Sequence, residues 1–182
     1  MILFEEGCWR LDDPITDHLP ELADMRVFAG VDAAGDMITE DLSRPPTMRE
    51  LMSHTAGFGY GLFDIHPVER EYRRSHVLQA SSLDDLVQRV ARIPLMFQPG
   101  SEWFYSVATD LQGVIVERLS GMGFGEFLQR RIFDPLGMID TGFQTRPDNA
   151  HRLAAIYADD GQGGLKPATE AFDMPINDFT RS

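Results

Sequence analysis

Apolar residues return at helical spacing through most of this chain. The clearest run is Val107 to Leu119, where Val107, Leu111, Val114, Ile115 and Leu119 form one stripe and Gly121 stands just beyond it. Phe124, Phe127, Leu128 and Ile132 form a second stripe, stopped by Pro135. Leu83, Leu86, Val87 and Val90 form a third, with Ser81 or Ser82 placed to cap it and Pro94 closing it. In "PPTMRELMSHTAGF", Thr47 and Glu50 have capping-box spacing, so a short helix is expected over Met48 to His54.

The remaining helical segments are shorter or more polar. Pro67 to Leu78 reads as a helix whose charges, Glu69, Arg70, Glu71, Arg73 and Arg74, face water. Met1 to Glu6 reads as the last turns of a helix with Gly7 as its left-handed stop, and one turn is expected near Ile15 to Leu19. Two β-prone runs, Arg26 to Ala29 and Met37 to Glu40, flank a turn rich in Gly and Asp and predict a hairpin. "HRLAAIYADDGQGGLKP" predicts a strand, a glycine turn and a second strand. The pattern fades into a tail from Thr169. The sum is a single domain, mainly α with small β hairpins, lacking an alternating β-α rhythm or a repeat.

Composition narrows the partners. The net charge of −13 and pI near 4.6 argue against nucleic acid, which needs clustered Lys and Arg. The single cysteine, Cys8, allows no disulfide within the chain and reads as a small buried apolar residue. The five histidines lack H-x-x-x-H and H-E-x-x-H spacing, so no metal site is expected. No apolar run reaches the roughly 18–20 residues of a membrane span. The opening "MILFEEGCWRLDDP" has no basic region or cleavage site, so it is not read as a signal peptide, and a cytoplasmic location is the expectation.

The most informative stretch is "FQPGSEWFYSVATDLQGVIVERLSG", Phe97 to Gly121. Tyr105 stands at the start of the strongest helix, behind a Pro-Gly turn and beside Trp103 and Phe104. Ser106 can cap that helix, which places the phenol at the positive end of a helix dipole. The dipole favours a phenolate but is too weak to bring an ordinary tyrosine pKa near 10 to neutrality; a nearby ammonium would be needed. G-x-S-x-G and the phosphate-cradling glycine motifs are absent, and adjacent carboxylates such as Asp84 and Asp85 do not converge on one point. Trp103 and Phe104 read as core or pocket wall. His54 reads as a histidine that holds its loop beside a cleft, and Gly57, Gly59 and Gly61 as turn residues.

"PTMRELMSHTAGF", "FQPGSEWFYSVATDLQGVIVERLSG", "FGEFLQRRIFDPLGMIDTGF" and "HRLAAIYADDGQGGL", in this order, resemble the serine β-lactamase and penicillin-binding superfamily, in its β-lactamase-related, class C-like esterase branch. The resemblance implies the helical domain of an α+β fold, incomplete at both ends, with residues 1–10 finishing the nucleophile helix and 169–182 a tail. It implies that Tyr105 is the family's proton-shuttling tyrosine, with Ser106, Val107 and Trp103 at the substrate. It also implies a small-molecule ester or lactam substrate in the full-length form, and no cofactor. Val107 stands where the family's Y-x-N form has Asn, which tilts the expectation from lactams toward esters.

The family's nucleophile motif does not fit this chain. Its only lysine is Lys166, three residues after Gly163, so S-x-x-K cannot occur, and no K-T-G is present. The resemblance therefore implies a serine hydrolase whose nucleophile lies outside these residues, so that this polypeptide is silent alone. A surface meant to face the sheet would then be open to a homo-oligomer. The alternative is a non-catalytic helical module, for binding or assembly, derived from that family.

Overall fold

The computed structural model of the protein describes residues 1–144 and 147–167. The tail expected from Thr169 lies outside the described residues. Among the described residues, six α-helices carry most of the order: α1 (Ile2–Glu5), α2 (Met48–Met52), α3 (Pro67–Arg74), α4 (Leu83–Val90), α5 (Ala108–Ser120) and α6 (Phe124–Leu128). Two antiparallel hairpins accompany them, β1 (Arg26–Val31) with β2 (Met37–Asp41) and β3 (Tyr157–Asp159) with β4 (Leu165–Pro167). The mainly helical architecture with small hairpins is as the apolar spacing predicts.

Helix α5 is the axis of the core. Leu111, Val114 and Ile115 are buried along one side, and α2, α4 and α6 all pack against it. Leu86, Val87 and Val90 of α4, Leu51 of α2 and Phe127 of α6 complete the same apolar cluster. The Phe124 ring packs beside the mid-helix Gly113, where a Cβ would stand 3.6 Å from the ring, at ordinary van der Waals contact. Gly121 ends α5 in the left-handed region at φ 66°. Helix α6 runs on into a π-type turn over Gln129–Phe133.

Local chemistry sets the helix starts. Thr47 and Glu50 form both halves of the capping box on α2, and the Arg44 guanidinium pairs with the Glu50 carboxylate. Ser82 caps α4 by accepting the Asp85 N–H at 3.1 Å. His54 lies at φ 58°, so α2 stops short of it; His76 at φ 51° likewise divides Pro67–Leu78 into α3 and a 3-10 turn at Val77–Gln79.

Two expectations need correction. Glu69 does not face water: it is fully buried, while its neighbours Arg70, Arg73 and Arg74 remain outside or partly so. Cys8 is exposed rather than buried, since the tight turn after α1 points it away from the core that holds Leu3 and Trp9. From Asp134 to Pro167 almost every described residue is exposed, including Leu136, Ile139, Leu153 and Leu165. Among the described residues, no helix is long and apolar enough to cross a membrane.

His66 caps α3 by accepting the Val68 N–H at Nδ1, 3.2 Å away. Burial holds its pKa below the ordinary 6.5, against the pull of the Glu69 charge and with the help of Arg70. A depressed histidine favours the neutral form in the folded state. Its contribution is therefore full above the unfolded pKa and is lost as the pH falls through the folded one. Urea denaturation between about pH 7 and 5 should show stability falling with acid, and His66→Asn, which keeps a cap without the proton, should flatten that slope. Equal slopes in the two proteins would remove His66 from the account.

Candidate active site

The segment around Tyr105 is held by two stretches of chain lying side by side. Met96 N–H donates to the Gly57 carbonyl at 2.7 Å, Gly100 N–H to Thr55 at 2.8 Å, Phe104 N–H to His54 at 3.0 Å and Val107 N–H to Gly59 at 3.0 Å. Residues 54–59, which follow α2, thus form a rail against which the Pro-Gly turn and the start of α5 are laid. Gly57 is at φ 92°, and a Cβ there would come within 2.5 Å of the Phe97 carbonyl oxygen, so only glycine permits this approach.

On this rail Tyr105 is 44% exposed and Trp103 66% exposed. Trp103 is therefore not core. The Tyr105 ring lies between two others, the His54 imidazole at 4.9 Å between centroids and 32° between planes, and the Tyr60 ring edge-on at 5.3 Å. Trp103 meets His54 edge-on at 6.4 Å, and Phe104 meets Phe63 at 6.0 Å. The aromatic cluster leaves the phenol accessible while restricting the rotation of its ring.

The two residues after Tyr105 turn inward. Ser106 is nearly buried; its N–H donates to His54 Nδ1 at 3.2 Å and its hydroxyl lies 3.1 Å from the same atom. Its hydroxyl accepts the Ala108 N–H only at 3.4 Å, and α5 takes Val107 as its N-cap, so the capping expected of Ser106 is secondary to its bond with His54. Val107 is fully buried, with its side chain in the core cluster. Of the four predicted site residues, the structure thus brings Tyr105 and Trp103 to the surface and withdraws Ser106 and Val107 beneath them.

Electrostatics around the phenol come from α5 and from the glycine-rich loop. Asp110 lies in the first turn of α5, and burial raises its carboxyl above the ordinary range. Burial, then the Asp110 charge and Tyr105, push the Tyr60 phenol up. Tyr60 is held from behind by Glu69, whose carboxylate accepts the N–H groups of Tyr60, Gly61 and Phe63, the last two each at 3.0 Å. The first turn of α3 supplies the favourable end of a helix dipole for that buried charge. Among the described residues, no cluster of three or more His, Cys, Asp or Glu side chains could hold a metal ion.

Sequence reasoning missed Glu69, Tyr60 and the His54–Ser106 pair. The pair is separated by 52 positions, so no local pattern could have linked its members. Glu69 carried a usable sign, since it stands three residues before Tyr72 and shares the buried face of α3 with it.

Comparison with known proteins gives the geometry its relatives. The Beta-lactamase family model matches residues 1–174. The ML-236A carboxylate methylbutanoyltransferase of Penicillium citrinum is 37% identical over 164 residues, covering 89% of this chain and 38% of that protein. The lovastatin esterase of Penicillium rubens is 34% identical over 158 residues, 86% of this chain and 39% of that protein. Unliganded simvastatin synthase from Aspergillus terreus, as its selenomethionyl derivative, superposes with a TM-score of 0.78 at 31% identity, over 94% of this chain and 43% of that one. The chain spans about two fifths of the length of the curated relatives it matches. With the family model covering nearly its whole length, the chain belongs to the serine β-lactamase and penicillin-binding-like superfamily, in the branch of its esterases and acyltransferases.

Proposed function

We propose that this chain supplies the proton-shuttling tyrosine and one wall of the substrate cleft of an acyl-transferring serine hydrolase acting on small-molecule esters. The observation that carries the reading is Tyr105, half exposed at the start of α5 and clasped between His54 and Tyr60. In the reaction, a serine hydroxyl attacks the ester carbonyl and passes its proton to the Tyr105 oxygen, which acts as a phenolate stabilised by the ammonium of the S-x-x-K lysine. The same proton then passes to the departing alcohol as the acyl-enzyme forms; water or an acceptor alcohol reverses the sequence. Trp103 lines the entrance and meets the apolar part of the ester. Ser106 acts from beneath through its bond to His54. Val107 offers the site only its main chain, which favours esters over lactams that need a side-chain amide partner.

The nucleophile must come from residues other than these 182, because the only lysine, Lys166, has Gly163 in the S-x-x-K serine position. The chain alone should therefore neither hydrolyse a p-nitrophenyl ester above background nor take up a fluorophosphonate probe, as read by absorbance and intact mass. Stoichiometric labelling of any serine in the chain would refute this division of roles. An ester-cleaving chain without labelled serine would refute it equally.

A further inference from the structure

We infer that His54 is a positioning residue for Tyr105, fixing the direction of the phenol through both its backbone and its imidazole. The inference rests on the reading of Tyr105 as the proton shuttle and extends it to a residue that touches no substrate. Three separate contacts converge on His54. Its carbonyl accepts the Phe104 N–H at 3.0 Å, and its Nδ1 accepts the Ser106 N–H at 3.2 Å. The residues on both sides of Tyr105 are thereby bonded through their N–H groups to one residue. The third contact is the imidazole itself, which lies over the Tyr105 ring at 4.9 Å. A main chain held at i−1 and i+1 has little freedom at i, and a ring on one face removes most of the remaining freedom at χ1.

The backbone of His54 shows why a histidine carries this arrangement. At φ 58° it occupies the left-handed region, uncommon for residues other than glycine but one in which His, like Asn and Asp, is several-fold enriched. The surroundings over-determine that conformation, as Thr55 N–H, Phe104 N–H and Ser106 N–H are all bonded around it. The geometry also fixes the tautomer. Nδ1 has one in-plane lone pair, and the Ser106 N–H is directed at it, so the proton of the neutral ring belongs on Nε2. The Ser106 hydroxyl, 3.1 Å from Nδ1, shares that acceptor.

The test uses the 182-residue chain with 3-fluorotyrosine in place of its four tyrosines, resonances being assigned by single Tyr→Phe changes. His54→Gly keeps the left-handed backbone and deletes the ring and the acceptor. His54→Asn keeps the backbone and places an amide oxygen near the position of Nδ1. The parent should give one sharp Tyr105 resonance. In His54→Gly that resonance should split or broaden while the signal of buried Tyr72 stays in place, and His54→Asn should restore a single line. A sharp, unsplit Tyr105 line in a folded His54→Gly chain would overturn the inference.

Should His54→Gly fail to fold, the parent still decides the matter through ¹⁵N-labelled histidine. An unprotonated Nδ1 on His54 at neutral pH supports the inference, and a protonated Nδ1 overturns it. Because the readout is the ring and its partners rather than turnover, the positioning role can stand while the ester-transfer reading fails its own labelling test, and the reverse.

Discussion

Tyr105→Phe should abolish most of the catalysis in any polypeptide that joins this chain to a helix bearing S-x-x-K. The expected loss in kcat is about 10²- to 10⁴-fold, the usual worth of one general acid–base group, or roughly 3–5 kcal/mol of transition-state stabilisation. The substitution removes one oxygen and leaves the ring between His54 and Tyr60, so packing and KM should change little. At a half-exposed position the change in stability should stay within about 0.5 kcal/mol. Single-turnover acylation with a p-nitrophenyl ester separates the chemical step from product release and is the measurement to make. Tyr60→Phe is the internal control: its ring meets Tyr105 edge-on and its phenol is held neutral by burial and by Asp110. A loss below tenfold for Tyr105→Phe, or an equal loss for Tyr60→Phe, would reduce Tyr105 to packing.

How much of this was legible in the sequence depends on the range of each interaction. Helix α5, the capping box of Thr47 and Glu50, the Ser82 cap and the first hairpin are written in residues three to fifteen positions apart, and each appears close to its expected place. The π-type turn after α6 was not legible, since Ile132 continues a helical stripe whatever the hydrogen-bond register beneath it. The rail of residues 54–59 against 96–107 was hidden for a different reason. Its bonds run from main chain to main chain, and the glycines that permit them read only as turns. Tyr105 stood out because its helix did, whereas its holders, His54 and Tyr60, lie about 50 positions upstream. The chemistry of one position could be read locally, but not the geometry that gives that position its direction.

Glu69 offers the largest expected effect on stability. Its carboxylate is fully buried and accepts three backbone N–H groups, from Tyr60, Gly61 and Phe63. Glu69→Leu fills a similar volume but orphans all three donors. Each buried donor left without a partner costs about 1–3 kcal/mol, and Phe63 is exposed enough for water to replace part of its loss. The sum is roughly 3–5 kcal/mol, a large share of the 5–15 kcal/mol by which folded domains exceed their unfolded states. Glu69→Gln keeps one acceptor oxygen and turns the other into a donor facing an N–H, so its cost should fall between the leucine variant and the parent. Urea midpoints at constant m give this order directly. The site should register the same change: the loop from Phe58 to Phe63 carries Tyr60 to the edge of Tyr105, so the glutamine variant should loosen that contact while the α4–α5 core stays intact. A Glu69→Leu chain within about 1 kcal/mol of the parent would mean that the loop finds other acceptors, and that the clasp on Tyr105 does not depend on this buried charge.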